Sequence, residues 1–116
     1  MRSTKERQIF FLDKATKVAS KSTMTQKHGC VIVFDDNIIA EGWNKVKMNY
    51  HHAYSIHAEV DAIKKCKKKY KDIFSEAELY VVRLGPISLK NSKPCEDCQK
   101  VISSFGFNII YYSTDL

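Results

Sequence analysis

The sequence predicts an α/β fold, a three-layer α/β/α sandwich on a mixed sheet of four to five strands. Three observations carry that prediction. Two short apolar runs, CVIVF at 30–34 and IIAEG at 38–42, flank a polar turn and read as a hairpin. Two later runs, ELYVVRL at 78–84 and FNIIYYS at 107–113, have strand composition. Stretches with helical spacing precede the hairpin and separate the later strands, which gives a mixed sheet with helices on its faces.

Taken in chain order, residues 5–21 place Phe11, Leu12, Ala15, Val18 and Ala19 on one stripe, with Lys14, Lys17 and Lys21 elsewhere, as an amphipathic helix requires. Asp35, Asp36 and Asn37 supply turn chemistry between the two hairpin strands. From Trp43 to Ser55 the chain is polar and aromatic without an evident period and is expected to form a loop. A second helix is expected over 57–69, with Ala58, Ala62, Ile63 and Cys66 inward. Gly85 and Pro86 end the strand at 78–84, and residues 87–93 read as a loop, with a short strand as the alternative, leading to PCEDC at 94–98. Pro94 suits the first turn of a third helix, where its missing N–H costs nothing, and Gly106 suits its stop after Phe105.

A chain of 116 residues that is 44% hydrophobic has the size and the apolar content for a single domain over 1–116 with one core. No run approaches the ~20 apolar residues that span a bilayer, and charges break the N-terminal stretch where a secretion signal needs an apolar segment. The expectation is a cytoplasmic protein, or one of another reducing compartment, with no membrane partner. Its four cysteines then read as metal ligands or free thiols rather than disulfides. The net charge of +6 comes from 19 basic and 13 acidic residues; KKCKKKYK at 64–71 holds six lysines, and 19 less six leaves 13, which balances the acids. The excess is thus one patch, at the helix end whose dipole favours cations.

The residues that point to chemistry lie at two expected helix entrances. Cys95 and Cys98, three apart in a first turn, can share one ion. His57 and Glu59 are two apart, which in an unbroken helix sets them roughly 200° apart around the axis. Both can serve one pocket only if His57 sits at the entrance, before the backbone is fully helical. Ligation by His57, Cys95 and Cys98 would leave one tetrahedral position of Zn2+ for water, the arrangement of a catalytic site. Such water has its pKa brought from ~15.7 toward ~7. Two helix N-termini would stabilise the resulting negative charge and keep the thiols deprotonated. Glu59 is then the proton carrier and not a ligand.

HAE at 57–59 followed by PCEDC at 94–98 resembles the cytidine and deoxycytidylate deaminase superfamily, whose signature is H-x-E…P-C-x-x-C. The hairpin GCVIVFDDNIIAEGWN is similar to the family's first sheet elements, so the likeness spans residues 29–113. The resemblance implies hydrolytic removal of an exocyclic amine, with Glu59 delivering protons to ring N3 and to the departing amine. It also implies that Asn44 contacts sugar or base, and that the backbone N–H of Ala58 meets the base carbonyl. RLGPISLKNSK at 83–93 is longer than the segment many relatives carry before Pro-Cys, and an extension there borders the pocket.

Within that resemblance, the leading expectation is a Zn2+-dependent deaminase of a free cytosine-type nucleoside or nucleotide, deoxycytidylate-like favoured, acting as a homo-oligomer. Relatives commonly continue beyond the last strand with elements that help some members bind RNA; their absence after residue 113 favours a small-molecule substrate over a base in single-stranded nucleic acid. A non-catalytic zinc module is the third reading. His28, His51, His52, Cys30 and Cys66 show no convincing spacing for a second metal site, and Cys30 and Cys66 read as core thiols. Tyr50, Tyr54 and Trp43 read as packing residues rather than base-stacking platforms, as do Phe105, Phe107, Tyr111 and Tyr112 in the core or between subunits.

Overall fold

The structure, a computed structural model, describes residues 4–49, 52–69, 76–84, 89–90, 99–100, 102–103, 106–107 and 109–112. Helix α1 (Thr4–Ala19) ends where three bonds tighten the chain: Ser20 N–H to Thr16 O, Lys21 N–H to Val18 O and Ser22 N–H to Ala19 O, at 3.3, 3.0 and 3.0 Å. Strands β1 (Lys27–Phe34) and β2 (Asn37–Trp43) form the expected antiparallel hairpin. Its two turn residues, Asp35 and Asp36, have φ of 52° and 62°, the left-handed pair that a two-residue hairpin loop demands. Ile39 is an extra residue in β2, since Ile32 opposes Ala40 while Val33 opposes Ile38.

One expectation is corrected between Trp43 and Ser55. That segment forms a second hairpin, β3 (Lys45–Asn49) with β4 (His52–Ile56), in a separate two-stranded sheet. The alternation Lys-Val-Lys-Met-Asn has the strand period, but it leaves Val46 55% exposed, so there is little hydrophobic signal to read. Helix α2 (Ala58–Lys69) follows directly, then β5 (Glu78–Leu84). Within 87–93, Leu89 and Lys90 form the short strand β6, the alternative reading of that segment, and β7 (Ile109–Tyr112) is the last strand among the described residues. Between them Gln99, Lys100, Ile102 and Ser103 are helical, and Gly106 has φ of 68° while its N–H donates to Ser103 O at 3.1 Å, the left-handed stop expected there. Pro94 and Phe105 lie outside the described residues.

The main sheet has five strands in the order β2-β1-β5-β6, with β7 also on β5. β1 covers one edge of β5 along its whole length, from Lys27 opposite Leu84 to Val33 opposite Glu78. The other edge is shared: β7 runs parallel to residues 78–81, and β6 runs antiparallel to residues 83–84. The sheet is therefore mixed, as expected, and the described residues hold seven strands in two sheets where the sequence showed four clearly.

Side-chain alternation in β1 and β5 divides the core in two. Val31, Val33, Tyr80 and Val82 face α1 and pack on Phe11, Ala15, Val18 and Ala19. Cys30, Ile32, Leu79 and Val81 face α2 and pack on Ala58, Ala62, Ile63 and Cys66. Cys30 and Cys66 are both fully buried and outside any disulfide, and burial pushes the Cys66 thiol above its ordinary pKa. Phe107 packs on the α2 side and Tyr111 on the α1 side, where it stacks on Tyr80 at 4.9 Å. No helix among the described residues is long and apolar enough to cross a membrane.

Candidate active site

His57 stands immediately before α2, and its carbonyl accepts the Asp61 N–H at 3.0 Å. That bond makes His57 the cap of the helix: half in and half out, with its backbone not yet helical. Ala58 and Glu59 are the first two helical residues. The His57 side chain is exposed, whereas Glu59 is only 4% exposed. This is the bend that the two-residue spacing requires, at the positive end of the α2 dipole.

The depth of α2 on the sheet is set by glycine. Gly42 opposes Cys30 on the α2 side, and a Cβ there would meet Ala58 O, Ala62 N and, at 2.9 Å, Ala62 Cα. Glycine at 42 thus lets the helix backbone lie against the strand at the turn that carries Ala58 and Glu59. Gly29 plays the matching part on the other face, where a Cβ would meet Ala15 O, Ala19 N and Ala19 Cα. Ala58 itself is fully buried, and its N–H belongs to the first turn, where no intrahelical acceptor exists.

Asn44 lies between β2 and β3 and is 7% exposed. Its amide binds the segment that leads into β1: Oδ1 accepts the His28 N–H at 2.8 Å, and Nδ2 donates to Gln26 O and to Met24 Sδ, the latter at 3.4 Å. The Asn44 N–H donates to His28 O at 3.3 Å, and the Ser22 hydroxyl donates to Asn44 O at 2.9 Å. Asn44 therefore fixes the course of residues 22–28, and its Oδ1 retains a second lone pair.

A carboxylate that the sequence reading passed over ties these parts together. Asp61 is 7% exposed, and its Oδ2 accepts from Trp43 N–H at 3.2 Å, Lys45 Nζ at 3.0 Å and Lys65 Nζ at 2.9 Å. The two ammonium groups also lie 4.1 and 4.0 Å from the centroid of the Trp43 ring. Burial pushes the Asp61 carboxyl up, but the bonds from Lys65, Lys45 and the Trp43 N–H outweigh it and hold its pKa below the ordinary range. The result is a clasp from the first turn of α2 to the β2–β3 junction on either side of Asn44. The Asp61–Lys65 spacing of four is the one signal by which the sequence could have shown it.

His28 is the other neighbour. It pairs with Arg83 across β1 and β5, and burial, the Arg83 charge and the His57 charge, in that order, lower its pKa. No three His, Cys, Asp or Glu side chains converge among the described residues. Cys95 and Cys98, the other expected ligands, lie outside those residues, as do Tyr50 and His51. A neutral imidazole with two thiolates is a donor set that suits Zn2+.

The layering, the mixed sheet and the helix-entrance histidine with its buried glutamate define a cytidine-deaminase-like α/β/α protein. The fold is shared with the crystal structure of dCMP deaminase from the cyanophage S-TIM5 in apo form, at TM-score 0.74 and 25% identity over 98% of this chain and 86% of that one. The same phage protein in complex with dCMP and dUMP gives TM-score 0.75 at 23% identity, over 99% of this chain and 86% of that one. Residues 5–114 match the family model for the cytidine and deoxycytidylate deaminase zinc-binding region, and the chain belongs to that family. ComE operon protein 2 of Bacillus subtilis (strain 168) is 29% identical over 120 aligned positions, 91% of this chain and 58% of that protein. The chain thus spans a little over half the length of that curated relative.

Proposed function

We propose that this protein is a zinc-dependent hydrolytic deaminase of a cytosine-type nucleotide, with a deoxycytidylate-like substrate. The observation that carries the reading is Glu59, a buried carboxylate in the first turn of α2 beside the capping His57, in a chain of the deaminase family. The phage relative that shares the fold is described as a dCMP deaminase, which favours a nucleotide over other amines.

Overall, water adds to C4 of the base, the exocyclic amine leaves as ammonia, and the uracil product remains. Zn2+ held by His57, Cys95 and Cys98 would supply a water that is acidic near neutral pH. Glu59 would deliver a proton to N3 of the base and carry another to the departing amine. Its burial keeps bulk water from competing for those transfers. The Ala58 N–H at the helix entrance would donate to the base carbonyl, and Asn44 would offer its remaining Oδ1 lone pair to the sugar or base.

Ammonia release from a panel of bases, nucleosides, nucleotides and cytosine oligonucleotides tests the reading. The expected result is turnover of a cytosine nucleotide, loss on chelation and recovery with Zn2+. Glu59→Gln should lower kcat by about 10²–10⁴ while leaving thermal unfolding and bound zinc unchanged. Release only from oligonucleotides would move the substrate to nucleic acid, and no release from any member would leave a zinc-binding module.

A further inference from the structure

The lysine run in α2 is a strong feature of the chain that the proposed reaction does not use. After Asp61 no acidic residue follows before Asp72. Lys64, Lys65, Lys67, Lys68 and Lys69 are all exposed on the outer side of the helix, while Ala62, Ile63 and Cys66 are buried against the sheet. Like charges three and four residues apart repel on a helix, as Lys64 does with Lys67 and Lys68, and Lys65 with Lys68 and Lys69. The helix dipole rewards cations in the last turn, which accounts for Lys67, Lys68 and Lys69 but not for Lys64 and Lys65. Asp61 engages Lys65, whereas Lys64, Lys68 and Lys69 have no acidic partner among the described residues. Helix α1 is built differently: Asp13 precedes Lys17 by four residues, and Arg7 is held by Asp36 and Glu78.

The positive surface continues past the helix. Lys45 shares the Asp61 oxygen with Lys65, so two cations on one carboxylate keep a net positive charge, and Lys47 is exposed two residues along β3 on the same side as Lys45. From Asp61 to Lys69 the helix runs about 12 Å, the span of several phosphates of a nucleic-acid strand. A polyanion laid there relieves the repulsion among the lysines and releases a counterion for each charge it matches. The face suits two other anionic partners less well. A lipid surface takes up a helix through an exposed apolar face, and that of α2 is packed on the sheet. A protein interface draws its energy from aromatic and aliphatic anchors, and α2 exposes no large hydrophobic side chain.

We infer that the outer face of α2 docks the phosphodiester backbone of a nucleic acid, DNA or RNA, through Lys64, Lys68 and Lys69. Lys68 lies about 14 Å along the helix axis from Glu59, so this contact is separate from the candidate active site and does not depend on the deaminase reading.

Fluorescence anisotropy with a labelled oligothymidylate, the matching oligouridylate and an A·T duplex tests the inference, cytosine being left out so that no base can react. The wild type should bind at ~0.05 M salt and weaken steeply toward ~0.2 M. Lys64→Gln, Lys68→Gln and Lys69→Gln combined should weaken single-strand binding at least about tenfold at the lower salt. They should also make the log–log salt slope shallower by about 2, three lysines at ~0.7 each, and leave any turnover of dCMP unchanged. Lys5→Gln, Lys14→Gln and Lys17→Gln combined remove the same charge from α1 and should weaken binding less than about threefold. Preference among the three probes then identifies the source as DNA or RNA, single or paired. Equal losses in the two triple variants would mean a response to net charge alone and overturn the inference, as would absence of binding at ~0.05 M salt. Binding abolished by saturating dUMP would put the strand in the active site and overturn it too. Tighter binding of polyglutamate, or of phosphatidylserine vesicles, than of any oligonucleotide would do the same. If the α2 variant does not fold, lysine acylation of the wild type decides: bound oligonucleotide should shield Lys64, Lys68 and Lys69 and leave Lys5 and Lys17 labelled, and uniform labelling refutes the claim. Ammonia release bears on the deaminase reading alone, so either can fail while the other stands.

Discussion

Asp61 shows how one side chain can stabilise a site without touching it. A single carboxylate oxygen receives two ammonium groups and a backbone N–H. Lys65 is 41% exposed at its side chain and Lys45 22%, so solvent screens part of the attraction, and the net worth at neutral pH is about 1–2 kcal/mol. Because the folded pKa lies below the unfolded value of ~3.9, the stabilisation is complete above that value and is lost as pH falls through the lowered one. Chemical denaturation of wild type and Asp61→Asn between pH 7 and 2 should therefore show a gap at neutral pH that closes in acid. A gap that is constant with pH would mean that the ion pairs contribute nothing. At this scale the sequence was informative where chemistry dictates residue type: His57, Glu59, Cys95 and Cys98 stand out because few other side chains can ligate zinc or carry a proton. Asp61 did not stand out, since an aspartate becomes notable only through partners that folding brings to it.

Elements meet through the glycines. Substituting Gly42 by alanine would drive a methyl group into the backbone of α2 at Ala58 and Ala62, and neither can yield as a flexible side chain would. The helix must move outward. Gly42→Ala should lower stability by about 1–3 kcal/mol, measured by urea unfolding, and should reduce kcat more than KM because Glu59 rides on the displaced turn. A stable, fully active Gly42→Ala protein would show that the helix depth does not matter. The helices and core strands were legible because their apolar period is strong and their faces are buried. Stripe residues Phe11, Ala15, Val18 and Ala19 all reach the core, and Ala58, Ala62, Ile63 and Cys66 do the same in α2. The hairpin of β3 and β4 was not legible: its alternating positions face solvent at Val46, and its tip has no Asn-Gly or Asp-Gly to announce a turn. The two-residue strand β6 is shorter than any period can reveal.

Across the whole molecule, stability is distributed unevenly. β1 and β5 lie between other strands and are covered on both faces, by α1 on one and α2 on the other. Among the described residues the β3–β4 hairpin forms its own two-stranded sheet and pairs with no strand of the main one. Native-state hydrogen exchange should thus find the slowest amides in residues 30–33 and 79–82, with those of 45–49 exchanging orders of magnitude faster. Comparable protection in both regions would contradict this division. Arg7 adds a fastening at the end of the sheet away from His28, where its guanidinium meets Glu78 at 2.7 Å and Asp36 at 2.7 Å and so joins α1, β5 and the first turn.

That first turn is where an engineer would find slack. Two consecutive aspartates hold a backbone handedness that glycine adopts without strain, yet only Asp36 is needed to grip Arg7. Residue 35 is the natural spot for tuning durability, because it lies at the far end of the hairpin from His28 and Asn44.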